Sequence, residues 1–386
     1  MYNFDSVIER RNTNAMKWDG FAPIYNLEST EGILPMWVAD MDIATPNCVI
    51  DAITNRLTHP VFGYTGVDDA TYEAVQQWLQ SHHNFTVTAE QILFRHGVIP
   101  ALANAIAALT DEGDTVLIST PVYHPFYFIP TNLNRKLATC PLHEQDGVYS
   151  FDFATFEEAL KTADAYILCN PHNPGGMVWS KEDLTEIVRL CQQHNVLILS
   201  DEIHADLVFE GHTHIPIATI EGATDVVTFM APTKTFNLAS IQSAFMIVSS
   251  EQQREKITAY YTATGQGSIN VLAIEATRAA FTEGEAWRKA LLTHIEKNMN
   301  YVCQALNQLP GIRAHKPQGT YLLWIDYRQT GLTEEDIMAR LLNDAQLALE
   351  PGTKYGEEGR GFLRMNLACS YTTAQEAVTR FKKILA

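Results

Sequence analysis

The 386-residue sequence predicts an α/β protein: a large domain with a mostly parallel sheet flanked by helices, joined to a smaller α+β domain. Three observations carry this. From about Gln91, short apolar runs alternate with amphipathic stretches, the rhythm of βαβ units. After Glu283 the rhythm gives way to one long helical stretch and then to strands around a helix. The chain is also longer than a single core ordinarily grows.

The first forty or so residues are irregular and hold no βαβ unit, so they are expected to wrap the small domain or the cleft. The segment ILF (92–94) reads as a strand, IPALANAIAALT (99–110) as an apolar helix, and TVLIS (115–119) as a second strand. AYILCN (165–170), VLILS (196–200), VVTFM (226–230) and AFMIVS (244–249) repeat the strand pattern, with SKEDLTEIVRLCQQH (180–194) a helix between two of them. Apolar residues run through these strands without alternation, which predicts burial on both faces. WRKALLTHIEKNMNYVCQALNQL (287–309) then reads as a long helix, followed by strands TYLLWID and FLRMNLA around helix TEEDIMARLLNDA. The expected division is 47–284 for the large domain and 1–46 with 285–386 for the small one.

Composition narrows the function. A formal net charge of −18 opposes binding to a phosphate backbone, and no basic patch is visible, so no nucleic-acid partner is expected. No apolar run is long enough to cross a bilayer, and MYNFDSVIERR lacks the basic-then-apolar character of an export signal. The six cysteines are widely spaced and form no CxxC pair, which suits a reducing cytoplasm.

Ligands of open α/β sheets gather at the carboxyl ends of the strands. Four strand ends there carry reactive groups. AYILCN runs into Asn173, VLILS into Asp201, VVTFM into Thr233 and Lys234, and ILF into Gly97, Val98 and Ile99. Lys234 is either a solvated loop lysine or an amine whose pKa is lowered at a buried strand end, fit to act as a nucleophile. Asp201 follows four apolar residues and is either a helix N-cap or a buried anion that needs a cationic partner. The helix opening at Val98 offers free N–H groups to an anion such as phosphate, as any helix start does. An amine, a carboxylate, an amide and a phosphate-ready helix start are the parts that hold pyridoxal 5'-phosphate.

The order Asn173, Asp201, Lys234 and Arg364 on this strand pattern resembles the fold-type-I aminotransferase superfamily of pyridoxal-phosphate enzymes, over nearly the whole chain. Within it, PMWVADMD (35–42), FGYTG (62–66), SDEIH (200–204), APTKTFNLAS (231–240) and PGTKYGEEGRGFLRMN (351–366) resemble the MalY/PatB group of cystathionine β-lyases, or C–S lyases. The resemblance implies that Lys234 bonds to the cofactor and shuttles the Cα proton, that Asp201 keeps the pyridine nitrogen protonated, and that Asn173 donates to the ring oxygen. Tyr123 would stack on the ring, its alternative being a core aromatic beside prolines. The phosphate would rest on Val98, Ile99, Thr233 and a Tyr64 reaching over from a second subunit, which makes the expected protein a homodimer with its active site at the subunit interface. His204 stands where many aminotransferases have a cofactor-contacting tyrosine. Arg364, with Asn173 and Val38, would take the small-molecule amino-acid substrate by its α-carboxylate.

Two positions depart from the wider superfamily: Ala231 and Gln242 stand where many relatives place a phosphate-binding serine and arginine. The implied reaction is β-elimination from cystathionine or another S-substituted cysteine, giving a thiol, pyruvate and ammonia. The rivals are an aminotransferase on the same fold, a regulatory protein that retains the fold, and a metal hydrolase using His204, His212 and His214 with Asp201 and Glu202. The spacing of the last set matches no firm ligand pattern, GHTHIP reads as a surface turn, and no metal is expected.

Overall fold

The computed structural model describes residues 2–385. Its centre is a seven-stranded sheet: β1 (Ile92–Arg95), β2 (Thr115–Thr120), β3 (Lys136–Pro141), β4 (Ala165–Cys169), β5 (Leu197–Asp201), β6 (Val226–Met230) and β7 (Ala244–Val248). The spatial order is β1-β7-β6-β5-β4-β2-β3. From β3 to β6 every neighbouring pair is parallel, while β7 runs antiparallel to both β6 and β1. The exception has a local cause. Between β6 and β7 the chain forms only a one-turn helix (Pro232–Thr235) and a 3-10 turn (Ala239–Ile241), so no crossover helix carries it back to the start of the sheet.

Every residue of β4, β6 and β7 is buried, because helices cover both faces. On one side the helix Val98–Leu109 packs Val98, Ala101, Leu102, Ala105 and Ile106 against Val116, Ile118, Ile167, Leu199, Val227 and Met246. On the other, Leu184, Ile187, Val188 and Cys191 of helix Lys181–Gln193 meet Leu117, Tyr166, Leu168 and Ile198. That helix starts on a capping box between Ser180 and Asp183.

After the 22-residue helix Glu285–Leu306 a four-stranded antiparallel sheet follows: β8 (Arg313–Ala314), β9 (Leu322–Asp326), β10 (Glu350–Pro351) and β11 (Phe362–Asn366), in the order β8-β9-β11-β10. The early chain joins this part of the molecule. Leu34–Pro35 pairs in parallel with Leu347–Ala348, and Phe4 packs edge-on to Trp287 with centroids 5.7 Å apart. Among the described residues no helix is long and apolar enough to cross a membrane.

Candidate active site

Three neighbouring strands deliver the reactive side chains to one rim. Cys169, which ends β4, lies opposite Asp201, which ends β5; Asp201 in turn lies opposite Phe229 of β6, whose chain runs on to Lys234. Because the strands are parallel, their carboxyl ends are level, and Asn173, Asp201 and Lys234 are close by construction. The fourth member comes from the other sheet. Arg364 on β11 is buried and its Nη1 donates to the Oδ1 of Asn173 at 3.0 Å.

Asp201 is buried and accepts the Ile203 amide at 3.1 Å. Burial raises its pKa to about 7 against this hydrogen bond and the Lys234 charge. The carboxyl is therefore short of a cation. Lys234 is half-buried, and its Nζ donates to the Ala39 carbonyl at 2.5 Å. Burial, then the positive charge of Arg364, lowers the amine to about 8, while Asp40, Asp201 and Glu350 pull the other way. An amine in that range supplies a free base near neutral pH, which an ordinary surface lysine does not.

The guanidinium of Arg364 is held on three sides. Besides Asn173, it donates through Nη2 to the Trp37 carbonyl at 2.9 Å and pairs with Glu350, its register partner on β10. Its Nε is buried without a partner. Tyr123, just past β2, is half-buried; burial pushes its phenol up to about 12, Arg364 opposes this, and Asp201 and Glu350 add to it. His204 is buried, meets the Tyr321 ring edge-on at 5.9 Å, and is driven down to about 3 by burial and by Lys234 and Arg364. It is neutral, with Nδ1 unpaired.

Val98 and Ile99 form the first turn of the helix Val98–Leu109, which has no side-chain cap, so the amides of that turn remain open donors. Thr233 is half-buried in the one-turn helix that carries Lys234. Val38 is half-buried, and its carbonyl accepts Asn366 Nδ2 at 2.5 Å. Tyr64 is fully exposed, in a stretch without regular structure that also exposes Val61 and Phe62. Within one chain it joins none of the groups above.

The histidine set divides. His212 is exposed, but His214 is buried and its Nε2 lies 2.8 Å from the Glu202 carboxylate, which also takes Ser200 Oγ at 2.8 Å and the Ile217 amide at 3.1 Å. GHTHIP is therefore not a surface turn throughout; its second histidine turns inward to meet a buried acid. Among the described residues no group of three or more His, Cys, Asp and Glu side chains is arranged to hold a metal ion.

Sequence reasoning missed Glu350 and the Ala39 and Trp37 carbonyls. The two carbonyls lie in PMWVADMD, where only Val38 was singled out and no residue type marks them. Arg95 ends β1 opposite Ala244, two residues past Gln242, and is buried with its guanidinium 3.9 Å from the Tyr261 ring. Burial lowers its pKa.

The strained state of Asp201 makes a prediction. Its folded pKa is raised, so the carboxyl favours folding below about pH 4 and loses that advantage as pH rises to about 7. Asp201→Asn in cofactor-free protein is expected to raise the melting temperature at pH 8, by an amount equivalent to about 1–3 kcal/mol, with no gain near pH 4. Thermal melts of both proteins across that range check it; a gain independent of pH would place the acid elsewhere than in this buried pocket.

Comparison with known proteins agrees with this geometry. The profile of the family "Aminotransferase class I and II" matches residues 33–381. The cystathionine beta-lyase PatB of Bacillus subtilis is 41% identical over 100% of both chains. Cystalysin from Treponema denticola, whose crystal structure contains pyridoxal 5'-phosphate, superposes with a TM-score of 0.96 at 33% identity, covering 100% of this chain and 99% of its own. The PLP-bound C–S lyase of Staphylococcus hominis gives 0.93 at 30%, covering 100% and 98%. With its mostly parallel sheet and the rim groups described above, this chain belongs to the class I and II aminotransferase family and, within it, to the group of PatB.

Proposed function

We propose that this chain is a pyridoxal-phosphate-dependent C–S lyase that breaks the Cβ–S bond of cystathionine or a related S-substituted cysteine and, with one water consumed, releases a thiol, pyruvate and ammonia. The observation that carries the reading is the convergence of Lys234, Asp201, Asn173 and Arg364 on one rim. The donor set fits the cofactor in charge as well as in type. A buried carboxyl short of a cation suits a protonated pyridine nitrogen, and the uncapped helix start at Val98 suits a phosphate.

Lys234, Asp201, Asn173, Tyr123, Val98, Ile99, Thr233 and His204 would hold the group, with Tyr64 of a second subunit at the phosphate. Once bound, it supplies an electron-withdrawing ring that lets a Cα–H bond break heterolytically and a β-substituent depart. Lys234 Nζ, lowered to about 8 and so about half in its free-base form near that pH, takes the Cα proton. Arg364 binds the α-carboxylate through its guanidinium, and Asn173, held by the same guanidinium, stays in register with it. His204, being neutral, adds no further positive charge beside Arg364 and the Lys234 amine. The Cβ–S bonding pair leaves with sulfur as thiolate. The cofactor-binding part corresponds to 47–284, and 1–46 with 285–386 to the small part that brings Arg364 and Val38. The well-spaced cysteines, all free, favour a cytoplasmic location.

Purified protein given an S-substituted cysteine and no 2-oxo acid is expected to release pyruvate and ammonia continuously. Activity that starts only when a 2-oxo acid is added would make the chain an aminotransferase instead.

The exposed Val61, Phe62 and Tyr64 support a homodimer in which this loop reaches the partner's phosphate. Tyr64→Phe is then expected to bind cofactor about tenfold more weakly, as the loss of one hydrogen bond to a charged group implies. Equilibrium dialysis measures it; unchanged retention would remove Tyr64 from the site.

A further inference from the structure

The loop that receives Lys234 is held from outside the site by side chains of residues 10–18. Ala39 offers its carbonyl to Lys234 Nζ at 2.5 Å and to the Tyr321 hydroxyl at 2.9 Å. The next residue, Asp40, is an acid whose charge acts on the same amine. Among the described residues its carboxylate takes side-chain hydrogen bonds from Arg10 alone, in a fork: Nη1 to Oδ1 at 3.1 Å and Nη2 to Oδ2 at 2.7 Å. Arg10 also donates Nη1 to the Met41 carbonyl at 3.1 Å and to Asp42 Oδ1 at 2.7 Å. Asp42 is separately satisfied by Lys17 Nζ at 2.6 Å and Trp18 Nε1 at 2.8 Å. Arg10 is therefore replaceable for Asp42 and irreplaceable for Asp40.

We propose that Arg10 is a positioning residue: by holding the Asp40 carboxylate in a two-point fork, it keeps that anion from pairing with the Lys234 ammonium, so the amine is left to the carbonyl of Ala39 and to its reaction. The inference rests on the reading of Lys234 as the reactive amine. Two further facts agree with it. A bidentate guanidinium pair fixes the orientation of a carboxylate as well as its charge, which a single-point contact does not. The groups that set the charge around Lys234 come from four directions: Arg364 from β11, Asp201 from β5, Glu350 from β10 and Asp40 from this loop, with neutral His204 and the Tyr321 hydroxyl beside them. Of the three acids, Glu350 is paired with Arg364 and Asp201 is turned to the Ile203 amide, while Asp40 depends on the strap formed by residues 10–18.

The test measures the pH at which Lys234 is half-labelled by acetic anhydride in cofactor-free, full-length protein, read by peptide mass spectrometry. Arg10→Ala is expected to raise that midpoint by about one pH unit, the usual effect of an opposite charge brought within contact. The double variant Arg10→Ala/Asp40→Asn is expected to return to the parent midpoint or below it, and Asp40→Asn alone to fall below it. In the holoenzyme, the alkaline shift in Arg10→Ala is expected to reappear in the ascending limb of the kcat profile. A purely structural role for Arg10 would leave the single and double variants alike. An Arg10→Ala midpoint equal to the parent's, or a double variant as high as the single, overturns the proposal. Where Arg10→Ala does not fold, Asp40→Asn decides alone, and a midpoint that does not fall overturns it. Failure of the lyase reading is seen separately, as absence of a borohydride-fixed cofactor on Lys234 in the parent.

Discussion

Lys234→Ala is expected to lose at least about a thousandfold in kcat for pyruvate release, within the range that removal of a general base produces and before any loss of covalent attachment is counted. The same protein should remain folded. Burial already disfavours the ammonium of Lys234, whose pKa is lowered to about 8, so the folded state gains no net stability from that charge at neutral pH. The sign follows from linkage: a lysine depressed on folding costs stability as pH falls through its folded value, and its removal relieves that cost below about pH 8. Alanine gives up only the packed stem and the hydrogen bond to the Ala39 carbonyl. Initial rates with an S-substituted cysteine, a thermal melt and borohydride labelling separate the outcomes. A variant that melts like the parent, takes no covalent label and turns over no substrate is the expected result. Retained turnover would move the base to another residue.

The parts of this site that were legible in the sequence are those fixed by strand ends. Asp201 comes two residues after the apolar run 196–199 and Asn173 four residues after the run ending at Cys169, and a parallel sheet levels the ends of such runs, so their proximity needs no long-range knowledge. Lys234 was legible on the same ground. The antiparallel course of β7 was not, because an apolar run looks the same in either direction and only the missing crossover helix distinguishes them. Glu350 was missed for a different reason. Its role depends on sitting opposite Arg364 across β10 and β11, and a two-residue strand leaves no periodic signal. The carbonyls of Ala39 and Trp37 were invisible because every residue carries the same group. His214 was misread because the polar letters around it describe an exposed turn, whereas its ring turns inward to a buried acid.

Arg364→Ala is expected to fail twice, in binding and in folding, and the two failures can be separated. Removing the guanidinium takes away the only charge-assisted fork proposed for the α-carboxylate, a loss of about 2–5 kcal/mol for a buried charge pair and hence roughly 30- to 5000-fold in KM. It also strands Glu350. Burial acts to raise that carboxyl, and Arg364, followed by Lys354, overcomes it and holds the pKa below the usual carboxylate range. In the parent, Glu350 therefore adds stability above its unfolded pKa, lost as pH falls. Without Arg364 the balance reverses, leaving a buried acid with Lys354 and the Tyr355 hydroxyl as partners, and a destabilisation of about 3–5 kcal/mol at neutral pH is expected. That loss should shrink on acidification, since protonating Glu350 removes the stranded charge. The double variant Arg364→Ala/Glu350→Gln is expected to recover most of the melting temperature and none of the KM. Arg364→Lys should keep much of the stability, because a charge still faces Glu350, and lose affinity, because an ammonium does not make the fork. Melts and saturation kinetics on these three proteins decide the matter: if the double variant regains KM along with stability, Arg364 serves the fold and the substrate carboxylate binds elsewhere.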